Sequence, residues 1–223
     1  MCWELAGRGL ELASVRKPES LYTEDEYLAL ERASQERREY LDGQIYLMAG
    51  ESPAQGTICT NLTIEVGSQL KGTLCQAFSK DTKVRSGAIP KSRYSAQALY
   101  SFPDLVVVCG EPQFLDEHRD VLVNPKVIIE VLSPSTEAFD RGEKFLRYRT
   151  HLESLTDYGV IAQNRPLVEH FARQPNGQWV IAATATELSE TVVLSSIGCT
   201  LRLSDIYERI VFPEETAEPR NPE

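Results

Sequence analysis

Phe102-Pro103-Asp104-Leu105-Val106-Val107-Val108, followed by Pro125-Lys126-Val127-Ile128-Ile129-Glu130-Val131-Leu132-Ser133-Pro134-Ser135-Thr136 and then by Asp140-Arg141-Gly142-Glu143-Lys144, is the stretch on which the fold turns. Leu105–Val108 and Val127–Leu132 are near-continuous apolar runs, the mark of strands covered on both faces. Ser133-Pro134-Ser135-Thr136 signals a loop and a helix start, and a charged helix follows to about Arg149. Two carboxylates therefore abut buried strands, and a lysine stands on the next helix.

Working outward toward the N-terminus, Thr23-Glu24-Asp25-Glu26 offers an N-cap and a first turn of acids ahead of apolar residues at helical spacing. The helix they predict ends in the charged Gln35 to Arg38 stretch. Asp42-Gly43 between Glu39-Tyr40-Leu41 and Gln44-Ile45-Tyr46-Leu47-Met48 predicts a tight hairpin. Ile58, Leu62, Ile64, Val66 and Leu70 recur at roughly helical spacing, so Pro53 to Leu70 reads as an amphipathic helix. Strands are expected over Leu74 to Phe78 and Thr82 to Arg85, with a polar loop from Gly87 to Ala98.

Toward the C-terminus, Tyr158 to Ala162, Leu167 to Ala172 and Trp179 to Thr184 read as strands, the last two joined by a turn at Pro175-Asn176-Gly177. Ser204 to Glu208 can form a final helical turn. Helices flanking one mixed sheet give an α/β or α+β class. The expected organisation is an N-terminal tail over 1–20, one domain over 21–210 and an acidic tail over 211–223.

A hydrophobic fraction of 42% and a charged fraction of 25% are those of an ordinary globular chain. No stretch approaches the ~20 apolar residues of a membrane span, and Met1-Cys2-Trp3-Glu4-Leu5 lacks the features of a secretory signal. A cytoplasmic protein is expected. The five cysteines are odd in number and never form C-x-x-C, so they read as reduced thiols, with Cys109 a packing residue. A net charge of −10 argues against nonspecific polyanion binding. Between Lys71 and Arg93, however, six basic residues face Asp81 alone, which leaves room for a local basic surface.

A carboxylate beside an apolar strand is costly unless paired or metal-bound. Asp104 and Glu130 are two such groups, and hard divalent cations prefer carboxylate and carbonyl oxygens. Such a cation serves phosphodiester hydrolysis, with the Val131 main-chain carbonyl as a third ligand and Lys144 offsetting charge on the phosphate. The plainer alternatives are a turn at Pro103-Asp104, a solvated acid at a strand end, and an i,i+4 ion pair between Lys144 and Asp140. His118, His151 and His170 lack zinc-ligand spacing, and no phosphate-binding glycine loop is present.

The segments quoted at the outset closely resemble the Uma family of restriction-endonuclease type, within the PD-(D/E)XK nuclease superfamily, and the resemblance runs from about Thr23 to Tyr207. It implies a restriction-endonuclease-like core, magnesium- or manganese-dependent cutting of DNA and a homodimer. By position, Asp104 resembles the metal-binding aspartate and Glu130 the second acid. The superfamily lysine would stand two residues after that acid, where this chain has Leu132, and the family pattern transfers its role to Lys144. Glu39 matches an acidic position that helps hold the metal or a bridging water; pairing with Arg37 or Arg38 is the alternative. Ser79 to Arg85 also resembles the family and would set Lys83 and Arg85 near the phosphate backbone, or else forms a solvated edge strand. The chain departs from the pattern at Gln55, where a histidine is common, and at Gln163, where an acid is common. A glutamine can hydrogen-bond phosphate but cannot exchange a proton. The reading is a metal-dependent DNA endonuclease; the alternative is a degenerate nuclease fold that binds nucleic acid or a protein partner.

Overall fold

Residues 21–48, 50–88 and 97–213 are described by the computed structural model. The expected N-terminal tail, nearly all of the acidic tail, residues 89–96 of the expected polar loop, and Cys2, Lys91 and Arg93 lie outside the described residues.

Helix α1 (Glu24–Arg32) is closed by a capping box, in which the Thr23 hydroxyl accepts from the Glu26 N–H and the Glu26 carboxylate accepts from the Thr23 N–H. Strands β1 (Arg38–Leu41) and β2 (Gln44–Leu47) form the expected hairpin, with positive φ at both Asp42 and Gly43 as a two-residue turn requires. Helix α2 (Pro53–Gln69) starts with Ser52 as N-cap and Pro53 in its first turn. Strands β3 (Cys75–Ser79), β4 (Lys83–Ser86), β5 (Leu99–Ser101), β6 (Leu105–Cys109), β7 (Val121–Leu122) and β8 (Val127–Leu132) follow. The charged segment forms α3 (Glu137–Phe139), a π-helical turn over Asp140–Lys144, and α4 (Phe145–His151). The chain then runs through β9 (Asp157–Ala162), β10 (Val168–Arg173), β11 (Trp179–Ala185), β12 (Thr191–Leu194), β13 (Cys199–Arg202) and α5 (Leu203–Ile206).

The expected α+β class, mixed sheet flanked by helices, holds; the strands divide into a six-stranded sheet ordered β11-β10-β9-β8-β6-β3, a five-stranded sheet ordered β2-β1-β5-β4-β7, and the β12-β13 pair. Within the six-stranded sheet β8 and β9 run parallel while the other pairs are antiparallel. A parallel pair needs a crossover, and the segment that carries Lys144 supplies it. Successive side chains of β6 and β8 alternate between two cores. Leu105, Val107, Val127, Ile129 and Val131 pack against Ile58, Leu62 and Val66 of α2. Val106, Val108, Ile128 and Leu132 pack against Phe145 and Tyr148 of α4. Both faces are covered, which explains the unbroken apolar runs. None of the described helices is long and apolar enough to cross a membrane.

Two cysteines depart from the expectation. Cys75 on β3 stands directly opposite Cys109 on β6 and is joined to it by a disulfide. Their separation of 34 residues hides a partnership that only strand register creates. Cys59 and Cys199 are buried free thiols.

Asp157, at the start of β9, fastens three segments. Its Oδ1 lies 2.7 Å from His170 Nε2 on β10, and its Oδ2 accepts from Ser196 Oγ at 2.5 Å and Thr156 Oγ1 at 2.6 Å. Burial raises its pKa, but the hydrogen bonds from His170, Ser196 and Thr156 outweigh burial and hold it below the ordinary value. A depressed carboxyl pKa stabilises the fold above the unfolded value of about 3.9 and loses that contribution as pH falls through the folded value. Asp157→Asn is therefore expected to lower stability by about 1–3 kcal/mol in urea unfolding at pH 7. The gap to wild type should narrow as pH falls below about 4.

Candidate active site

Glu130 lies between Ile128 and Leu132 on the face of β8 that meets α4, so an acid interrupts an otherwise apolar surface. The crossover brings its counter-charge. Lys144 Nζ is 3.1 Å from Glu130 Oε1, 3.2 Å from Asp140 Oδ1 and 3.5 Å from Glu39 Oε1. Asp140 and Lys144 both belong to the π-helical turn, a geometry found disproportionately at functional positions in helices. One turn further on, the Tyr148 hydroxyl donates to Glu130 Oε1 at 3.3 Å and shares a 2.7 Å hydrogen bond with Ser101.

Asp104 is placed by the end of a β-ladder. Pairing of β6 with β8 stops at Leu105 opposite Ile129. Beyond it the Asp104 carboxylate accepts the Val131 N–H at 2.7 Å and, through its other oxygen, the Cys59 thiol at 3.3 Å. Glu39 on β1 accepts from the Phe102 N–H at 3.2 Å besides meeting Lys144, while Arg37 and Arg38 pair with Asp81 and Glu36 instead. Asp81, 75% exposed in its side chain, is a surface residue in that pair. Gln55 in the first turn of α2 donates to the Val131 carbonyl at 3.4 Å. Gln163 donates to the Leu132 carbonyl at 3.0 Å and accepts from the Ser52 hydroxyl at 2.6 Å. Both glutamines thus brace the end of β8.

Glu39, Gln55, Asp104, Glu130, Asp140, Lys144 and Gln163 line one cavity of about 850 Å3. Among its described lining residues the charged groups are Glu39, Asp104, Glu130 and Asp140 with Lys144, so the acids outnumber the base. Burial pushes the Glu130 carboxyl well above the ordinary range; Asp140, Asp104 and Glu39 add to this and Lys144 opposes it. Burial likewise raises Asp104, against the Val131 N–H and Lys144. Burial disfavours the Lys144 charge, but Glu130, Glu39 and Asp140 outweigh it and keep the ammonium protonated.

A model of the Uma2 family, described as "Putative restriction endonuclease", matches residues 24–204. The chain belongs to the Uma2 family. It is 32% identical over 188 residues to the uncharacterized protein slr1290 of Synechocystis sp., covering 84% of this chain and 92% of that protein. It is 29% identical over 170 residues to sll1609 of the same organism, also uncharacterized, covering 76% and 91%. Its fold resembles a crystal structure from Anabaena variabilis, described as "a putative nuclease belonging to DUF820". The TM-score is 0.65 at 18% identity, over 85% of this chain and 99% of that one.

Lys83 and Arg85 of β4, expected near a phosphate backbone, are instead buried, at 4% and 8% exposure. The Arg85 guanidinium donates to Glu24 at 2.8 and 3.2 Å, beside a Tyr100 hydroxyl that donates to the same carboxylate at 2.6 Å. Lys83 lies over the Phe102 and Tyr27 rings, 3.6 Å from Asp120. Neither presents a cation to a phosphate backbone. Asp140 forms the i,i+4 ion pair with Lys144 that the sequence offered, while Tyr148 and Cys59 touch the expected site residues as additional partners. Tyr148 stands four residues after Lys144, a spacing that signals a shared helix face.

Among the described residues no group of three or more His, Cys, Asp or Glu side chains is arranged to hold a metal. The donors on hand are two carboxylates and a main-chain carbonyl, all hard oxygens. That set suits a cation such as Mg2+, which keeps several waters and takes only one or two protein carboxylates.

A carboxyl whose pKa is raised on folding weakens stability progressively as pH rises above the unfolded value, about 4.3 for Glu. Glu130→Gln is therefore expected to be at least as stable as wild type at pH 8, with the advantage shrinking toward pH 5 in urea unfolding. Lys144→Ala, which strands the acids, is expected to lose about 3–5 kcal/mol.

Proposed function

We propose that this chain is a divalent-metal-dependent endonuclease that hydrolyses phosphodiester bonds in DNA. The observation that carries the reading is the convergence of Lys144 on Glu130, beside Asp104, in the floor of one cavity. Membership of a family described as putative restriction endonucleases, and a fold like that of the Anabaena variabilis putative nuclease, support it.

Asp104, Glu130 and the Val131 carbonyl are the groups that would hold the cation. When bound, a divalent cation polarises the phosphate and lowers the pKa of a water. Lys144 offsets the negative charge that grows on the phosphate as water attacks, in a cavity whose low polarity makes such an offset effective. Glu39 and Asp140 hold the ammonium in place. Gln55 steadies the Val131 carbonyl and, at the cavity wall, is a donor for a phosphate oxygen. The attacking water gives up a proton to solvent as its oxygen bonds to phosphorus, the bond from phosphorus to the 3′ oxygen breaks, and that oxygen takes a proton from solvent. A 5′-phosphate remains.

Incubation of supercoiled plasmid with Mg2+, Mn2+ or EDTA tests this reading. Wild type is expected to nick or linearise it with metal and not with EDTA. Asp104→Ala and Glu130→Ala should fall to the EDTA blank, and Lys144→Ala should lose about 10²–10³-fold. Gln55→Ala, which releases the carbonyl, should lose roughly 10–100-fold. A folded wild type that leaves both supercoiled plasmid and single-stranded circular DNA intact under every metal condition would reject the proposal.

A further inference from the structure

The walls of the cavity restrict what can be brought to its acids. At about 850 Å3 it falls within the ~300–1,000 Å3 range of sites that enclose a small ligand. Its charged floor is recessed, with Glu130, Asp140 and Lys144 at 3%, 3% and 5% exposure. Among the described lining residues Lys144 is the only cation, and three carboxylates already engage it.

Several described cations around it are engaged too, while the exposed Arg165 follows the lining residue Asn164. Lys80 pairs with Glu51, Arg141 with Glu137 and Glu169, and Arg147 with Asp42 and Glu143. Duplex DNA is gripped through its phosphates, mostly by such cations, and its rigid backbone cannot follow a recess. The rim of this cavity offers a different chemistry. Tyr46 and Met48 on one side and Phe139 on the other are half-buried and face the same space, with Leu47 exposed beside them. Aromatic and apolar side chains flanking a phosphate-processing floor are what an unstacked base needs.

The geometry points to unpaired DNA as the substrate, with one nucleotide turned out of its stack, its base against Phe139 and Tyr46 and its phosphate over Asp104 and Glu130. This assignment rests on the nuclease reading above and narrows it. A flexible single strand can fold into the recess, whereas a duplex would first have to be opened.

Fluorescence anisotropy with a labelled single-stranded 15-mer and the matching duplex, in Ca2+ and with the probe checked for integrity, tests the assignment. The single strand is expected to bind at least about tenfold more tightly, since stacking on one or two rings is worth that much. The slope of log K against log salt should be shallower than about −2, because few cations meet phosphate. Phe139→Ala and Tyr46→Ala, each with an unchanged circular dichroism spectrum, should weaken single-strand binding roughly 5- to 100-fold. Tighter duplex binding, no binding of either probe, or indifference to both substitutions would overturn the assignment. The same probes in Mg2+ or Mn2+ separate the two claims. A single strand that is bound but never cut rejects the nuclease reading and leaves the base pocket standing. Cleavage with preference for the duplex does the reverse.

Discussion

A single ammonium group surrounded by three carboxylates is the constraint on which this molecule depends. Lys144 reaches Glu130 from β8, Asp140 from its own helix and Glu39 from the hairpin of the other large sheet. Charges this deep are tolerated only when their partners are held at hydrogen-bonding distance. Each of the three elements must therefore dock in one register. The crossover between parallel strands fixes the helix over β8, and the Phe102 N–H anchors Glu39. The balance of charge is incomplete, since four acids and one base are among the described residues that line the cavity. A fold selected only for stability would not assemble that excess, and such local conflicts concentrate at functional sites.

The same imbalance reconciles a strongly acidic chain with the chemistry of a polyanion. Attraction does not need to come from a basic face if a cation is recruited by the acids themselves and the remainder of the contact is apolar. Two described cations of the crossover segment hold elements together. Arg147 ties the crossover to the β1–β2 turn at Asp42, and Arg141 ties it to Glu169 on β10.

Much of the architecture was legible because its signals are local. Thr23 with Glu26, Asp42-Gly43, and the apolar runs at Leu105 and Val127 each specify a conformation within a few residues, and each appears where expected. The strands Leu99–Ser101 and Val121–Leu122 were too short to show an alternation, and Thr191–Leu194 with Cys199–Arg202 lay in a region that carried no assignment. Missing β5 and β7 is why two sheets looked like one. Long-range partners were not legible at all. Nothing near Arg85 discloses Glu24, 61 residues earlier, so a buried structural cation looked like a surface one. Cys75 and Cys109 pair for the same reason, through register. Glu130 and Lys144 are close in sequence, and their chemistry could be anticipated from a strand, a loop and a helix start; Asp104 and Glu39 needed the family pattern as well.

The π-helical turn at Asp140–Lys144 sets how the site responds to a change in residue number. Such a turn closes its hydrogen bonds one residue later than an α-helix does. It therefore holds one residue more than the regular helix on either side of it. Losing any single residue there, such as Gly142, would let the turn close as a regular α-helix while the segments on either side keep their facing. Asp140 and Lys144 would then stand three residues apart and still share a face. The same deletion within the regular helix α4 would instead rotate everything beyond it by about 100°.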